Sequence, residues 1–357
     1  MHQLFDASHN TSSSTQPAQS RWLFIAGIRV EIRTAILGLL LVVVMLVAGI
    51  TGLLLGDYPM TTTEALGYLI GVGNDPLGVF FVQHQRLPRV LAAAAIGASL
   101  GIAGTIFQQL SRNALGSPDL IGFTTGAATG AVAAIILGNA GPFQTAIGAI
   151  IGGAVTAVIV YALALQNHKL SALRLILVGI GVAAFLQAVN GLLIVKASLS
   201  AAQTAALWLA GSFNAMTWSK LLVALLLQAM LVPIALALAR PLSLLTLGDD
   251  LATGLGLRVE RRRAQLIAVG VALTALAVAV AGPIAFVALA APQLARKLSM
   301  TSGVGMATAA LMGSVLVLVS DIIAQRMFAP VQLPVGVVTG LLGGMYLLGL
   351  LAFQWRR

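Results

Sequence analysis

The sequence predicts an all-α polytopic membrane protein with about ten transmembrane helices. Three observations lead there. The 357 residues are 59% hydrophobic and 8% charged, with a mean hydropathy of +0.99, whereas a soluble domain carries roughly 25% charged residues. Apolar runs long enough to cross a bilayer recur along the chain. Lysine and arginine are dense in alternate connecting segments and sparse in the others.

Residues 1–33 read as a cytoplasmic tail, partly disordered. The first stretch, MHQLFDASHNTSSSTQPAQS, is rich in Ser, Thr and Gln, a composition that cannot bury enough apolar surface to fold. It has no basic segment leading at once into an apolar core, so it does not read as a cleaved signal peptide. The transmembrane domain follows over 34–355. Spanning runs lie at about 34–56, 90–110, 118–138, 142–165, 172–196, 219–239, 262–281, 303–326 and 332–354. A shorter run at 283–298, entered by Gly282-Pro283 and carrying Pro292, reads as a short or broken helix.

An even number of spans puts both termini on one side. With that side cytoplasmic, only Arg86, Arg89, Lys196, Lys220 and Arg326 of the 20 basic residues fall on outer segments. The bias satisfies the positive-inside rule. It explains the net charge of +10 as topology, without nucleic acid.

Two outer segments, 57–87 and 197–218, are substantial, and Trp208 and Trp218 in the second suit a membrane interface. The inner loop at 111–119 is short and turn-rich. Glycines recur four apart at Gly97/Gly101, Gly122/Gly126/Gly130 and Gly336/Gly340/Gly344. Such faces let helix backbones approach closely. They serve packing alone, or some of them slide or line a path. Ala103-Gly104-Thr105-Ile106-Phe107 has a faint echo in Ala281-Gly282-Pro283-Ile284, five spans later. An odd separation is what an inverted repeat requires.

Catalytic chemistry is not expected. Cysteine is absent, which removes thiolate nucleophiles and thiolate metal sites. Gly97-Ala98-Ser99-Leu100-Gly101 fits G-x-S-x-G, but mid-helix rather than at a strand-to-helix elbow. His2, His9, His84 and His168 all lie outside the spans. No P-loop motif is present. Asp119 sits where it can cap a helix start. Asp321 is the candidate buried acid: it pairs with a nearby arginine or caps a neighbouring helix, or it serves a proton-coupled secondary transporter.

That leaves residues 240–263, RPLSLLTLGDDLATGLGLRVERRR, with five arginines and three acids. Leu244, Leu247, Leu251 and Leu255 recur at helical spacing, interrupted by Gly248, Gly254 and Gly256. The pattern predicts one or two short helices at the membrane surface. Either they form an ordinary interfacial loop, or a separate motor pushes on them.

Taken in order, several motifs resemble the permease subunits of binding-protein-dependent ABC importers for iron–siderophores, haem and vitamin B12, the FecCD family with the type II importer fold. They are RLPR (86–89), GASLGIAGTIFQQLSRNALGSPDLIGF (97–123), WLAGSFNAMTW (208–218), LLTLGDDLATGLGL (244–257), AGPIAFVALAAPQLAR (281–296) and LPVGVVTGLLGGMYLLGLL (333–351). RLILVGIGV and QLPVGVVT are similar to the ferric-enterobactin type within it. The resemblance implies two inverted five-helix repeats and coupling helices at 241–257. It implies ATPase contact through Leu247, Gly248, Asp249, Asp250, Ala252, Leu255 and Gly256. It assigns binding-protein docking to Arg86, Arg89 and Arg326, and a cytoplasmic gate to Ser171, Ala172 and Leu173. It implies a non-catalytic transport subunit that binds no cofactor, with ATP and Mg on two copies of a cytoplasmic ABC ATPase. The other expected partners are a paralogous permease and a periplasmic or lipid-anchored siderophore-binding protein, at the bacterial inner membrane. A vitamin B12 or haem importer is the alternative within the family. The sequence departs from the family pattern at Gln293, where a histidine is usual, and at Asn113-Ala114, where Asn-Pro is usual. The pathway is expected to be apolar and glycine-rich.

Overall fold

The computed structural model describes residues 22–25, 28–56, 58–72, 75–166, 169–300 and 305–355. Most of the expected tail, with His2 and His9, and also His168, lie outside them. A short antiparallel hairpin, β1 (Trp22–Ile25) with β2 (Ile28–Glu31), leads into α1 (Ile32–Leu54). The hairpin lies in the segment expected to be a partly disordered tail.

Ten helices correspond to the ten expected runs. After α1 come α2 (Thr62–Leu69) and α3 (Pro76–Phe80), which continues through a π-helical turn at Phe81–Arg86 into α4 (Leu87–Ser111). Then follow α5 (Phe123–Gly138), α6 (Pro142–Ala164), a two-residue β3–β4 pair at 165–170, and α7 (Ala172–Lys196). The second half holds α8 (Leu199–Leu209), α9 (Trp218–Ala237), α10 (Ala239–Thr246), α11 (Asp249–Gly254) and α12 (Val259–Ala281). It ends with α13 (Val287–Ser299), α14 (Met306–Arg326) and α15 (Val335–Trp355). The spanning set is α1, α4, α5, α6, α7, α9, α12, α13, α14 and α15.

Seven of these are long and apolar enough to cross a bilayer unaided. The shortest two have a structural cause. Residues 112–122 and 282–286 run as turns and irregular chain before α5 and α13 begin. The 13 residues of α13 therefore rise about 20 Å, short of a ~30 Å hydrocarbon core. Asp119 lies beside the start of α13 without capping it or α5: its carboxylate accepts from Thr124 Oγ1 at 2.6 Å and from the Phe286 backbone N–H, and neither helix has a side-chain cap.

The packing repeats with a two-fold relation. Helix α4 lies against α14, and α12 lies against α6; α5 packs on α6, and α13 on α14; α4 meets α13 as α12 meets α5. The central pair α4 and α12 meet each other. Equivalent helices are five spans apart, so they run in opposite directions, as an inverted repeat demands. The first members depart from this: α1 packs chiefly on α14, and α9 on α12 and α4.

Glycine makes close crossings possible. A methyl group at Gly97 or Gly101 would overlap the backbone of Gly313 or Ala309 on α14. Gly126 and Gly130 meet Thr156, Gly148 and Gly152 on α6 in the same manner. In α15 the expectation of tight packing fails for Gly340 and Gly344, which face open space; Gly336 alone of that trio meets backbone, at Ala210 and Pro283. Ser99 is fully buried in mid-helix.

Candidate functional site

Three places concentrate polar chemistry: each end of the bundle, and one cavity between helices.

At one end, α10 and α11 form the two short helices expected, with turns at Gly248 (φ +116°) and Gly256 (φ +82°). Glycine is needed there because other residues rarely adopt such φ values. Leu242, Leu245 and Ala252 face the core. Leu247, Leu251 and Leu255 face outward, 56%, 63% and 63% exposed. Leu247 closes α10 ahead of the Gly248 turn, and Leu251 and Leu255 follow it on α11, so three exposed leucines stand at the end richest in charge. Asp250 is exposed beside them.

Asp249 is half exposed and is also bonded within the chain. Its carboxylate accepts from Arg263 Nη2 at 2.8 and 2.9 Å and from Arg112 Nη2 at 3.2 Å. Ala252, also expected at the motor contact, is buried. The two residues fasten the segment to the bundle, while the leucines present it.

Ser171 is the N-cap of α7, its carbonyl accepting from Leu175 N at 2.9 Å. Leu173 is exposed, and α7 starts at Ala172. Ser171 lines a cavity of about 390 Å³ together with Arg112, Arg174, Asp249 and Arg263. The expected gate and the expected coupling turn thus share one cavity.

At the opposite end, all three expected docking arginines bond within the chain. Arg86 is 8% exposed and donates to the carbonyls of Leu53 (2.9 Å), Leu54 (3.3 Å) and Tyr58 (3.0 Å). It holds the last turn of α1, where helix carbonyls run out of intrahelical donors. This differs from a free docking arginine. Arg89 forms a two-pronged pair with Asp321, Nε and Nη2 each at 2.9 Å, and its Nη1 reaches Asn214 at 2.8 Å and Gln332 at 3.1 Å. Arg326 donates to Gly56 O at 2.9 Å. Asp321 therefore pairs with an arginine, the simpler of its two expected roles. Arg86 and Arg89 line a wide cleft of about 650 Å³ with Tyr58, Phe80, His84 and Gln325.

The third place was not expected. Thr124, Thr125, Gln187 and Asn190 line a cavity of about 360 Å³ between α5 and α7, near Pro283. Asn190 is buried, and its Oδ1 has no hydrogen-bond partner. The run that forms α7 is thus not wholly apolar on its buried side. The signal was present: an amide pair three residues apart inside an apolar run lies on one side of a helix.

The two departures from the family pattern touch each other. Gln293 Nε2 donates to Ala114 O at 2.7 Å, and Tyr346 Oη donates to Gln293 Oε1 at 3.4 Å. Loop 112–122, α13 and α15 are tied together at that point.

The chain matches the model of the FecCD transport family over residues 40–353. It is 46% identical to the ferric enterobactin transport system permease protein FepG of Escherichia coli over 330 residues, covering 92% of this chain and 99% of that one. It is 37% identical to the hemin transport system permease protein HmuU of Yersinia pestis, covering 75% and 82%. Its fold matches a solved metal-chelate type ABC transporter in an inward-facing conformation with TM-score 0.79 and 27% identity, covering 90% of this chain and 99% of that chain.

Proposed function

Because the chain belongs to the FecCD transport family, and so is a multi-pass membrane permease subunit, we propose that it moves a ferric siderophore of the catecholate type inward across the bacterial inner membrane. The motor is a separate ABC ATPase, present in two copies with its ATP and Mg, which grips the outward leucines at 247–255. A second, paralogous permease completes the pathway. A siderophore-binding protein delivers cargo at the Arg89 end. Both termini are cytoplasmic, which puts the basic-rich segments inside.

One observation carries this reading: the 46% identity to the enterobactin permease, over 92% of the chain. These leucines support it, since exposed leucines at a charged end fit a protein contact. For docking, Arg89 has to share or exchange Asp321, so its pairing with a partner steers and orients more than it binds. The hemin relative favours a haem importer as second reading.

The test is uptake in vesicles holding all subunits. Ferric enterobactin should enter only with ATP and an intact ATPase, and Leu251→Asp should abolish uptake and ATPase co-purification together. Uptake that persists without the ATPase overturns the mechanism. Haem carried in preference to the ferric catecholate overturns the substrate.

A further inference from the structure

One buried side chain contacts both the motor-facing turn and the gate loop. Arg263 is 8% exposed and lies in the second turn of α12. Its Nη2 holds both carboxylate oxygens of Asp249, the first residue of the helix that carries Leu251. Its Nη1 donates to Glu260 Oε1 at 2.8 Å and to the Leu170 carbonyl at 3.1 Å. Leu170 immediately precedes Ser171, the cap of α7.

The apolar contacts of Leu242 and Ala252 could slide under load. A planar guanidinium with fixed donors cannot let either partner shift without breaking a bond. Arg112 also reaches Asp249, but its side chain is 51% exposed against 10% for Arg263, so its bond to the shared carboxylate is the more weakly held. The adjoining cavity of about 390 Å³ leaves room for the turn and the loop to move together.

We propose that Arg263 is a positioning residue that transmits displacement of the 247–256 turn to the 169–173 loop, and so to the foot of α7. This rests on the proposed docking of an ATPase at that turn.

The chain has no cysteine, so Leu173→Cys supplies a single thiol reporter at the gate. In the complete importer with Arg263 in place, trapping nucleotide on the ATPase with vanadate should change the rate of labelling by a membrane-impermeant maleimide several-fold. In Arg263→Gln the ATPase should still co-purify and hydrolyse ATP, while labelling no longer responds to nucleotide and uptake drops by an order of magnitude. Arg263→Lys keeps the charge but lacks the second edge that reaches Leu170, and should show the same loss. A nucleotide response that survives in either variant overturns the proposal. So does failure of both variants to assemble, which would make the role purely structural. Failure of the Arg263 protein itself to retain the ATPase overturns the docking reading instead.

Discussion

Asp321 shows how far a single buried charge can be interpreted. Its carboxylate is 3% exposed and accepts from Arg89 twice and from Gln325 at 2.8 Å. These bonds make it half of a structural ion pair. Asp321→Asn leaves Arg89 without its counter-charge, a loss worth about 3–5 kcal/mol for a buried pair. The expected result is a marked fall in the unfolding temperature of the detergent-solubilised protein. Asp321→Leu with Arg89→Met removes both charges and should recover most of that stability. An Asp321→Asn protein as stable as its parent would mean that the pair does not hold the start of α4 and the end of α14 together. The acid was visible in the sequence as the candidate buried acid. Its arginine was not, because 232 positions separate the partners and only the fold brings them together.

At the scale of elements, glycine decides which helices can cross closely. Gly101 sits where α4 meets the Ala309 backbone of α14, with no volume to spare. Gly101→Val forces the pair apart, and overpacking of this kind typically costs about 1–3 kcal/mol or more. The expected outcome is little folded protein in the membrane fraction on fluorescence-detected size exclusion. Gly138→Val is the control: a side chain there meets nothing within 4 Å, so its profile should match the parent. Equal profiles for both would refute the close crossing. The long helices were legible because apolar runs of twenty residues have few other readings. The short helices α2, α3 and α8 were not, since local caps make them. Thr61 and Glu64 cap α2 reciprocally, and Asp75 accepts from Leu77 and Gly78 at the start of α3. Tyr58 donates to Asp75 at 2.6 Å, which holds that carboxyl below its usual range. The cap therefore persists at neutral pH and weakens only as pH falls through that lowered value. The Gln293–Ala114 contact was equally hidden, though both positions stood out singly as departures from the family pattern.

For the molecule as a whole, the faces without a partner matter most. Gly340 and Gly344 on α15, and Gly181 and Gly191 on α7, all have open space where a side chain would go. Leu177 and Ile180 on α7, and Val337, Leu341 and Met345 on α15, are exposed around them. Lipid offers no reason for small residues to gather, whereas close helix contact between chains does. The amides of Gln187 and Asn190 lie on α7 too, and polar groups at that depth face protein or water. The proposed second permease, packed along α7 and α15, would cover the open glycine faces and the exposed Gln187, while Asn190 stays buried against α5 within this chain. Gly344→Leu should therefore reduce co-purification of differently tagged permeases while leaving the unfolding temperature of this chain unchanged. Running the experiment with two tagged copies of this chain, and then with its paralogue, distinguishes a homodimer from a heterodimer. Pairing that tolerates Gly344→Leu and Gly340→Leu together would mean that the open face meets lipid after all.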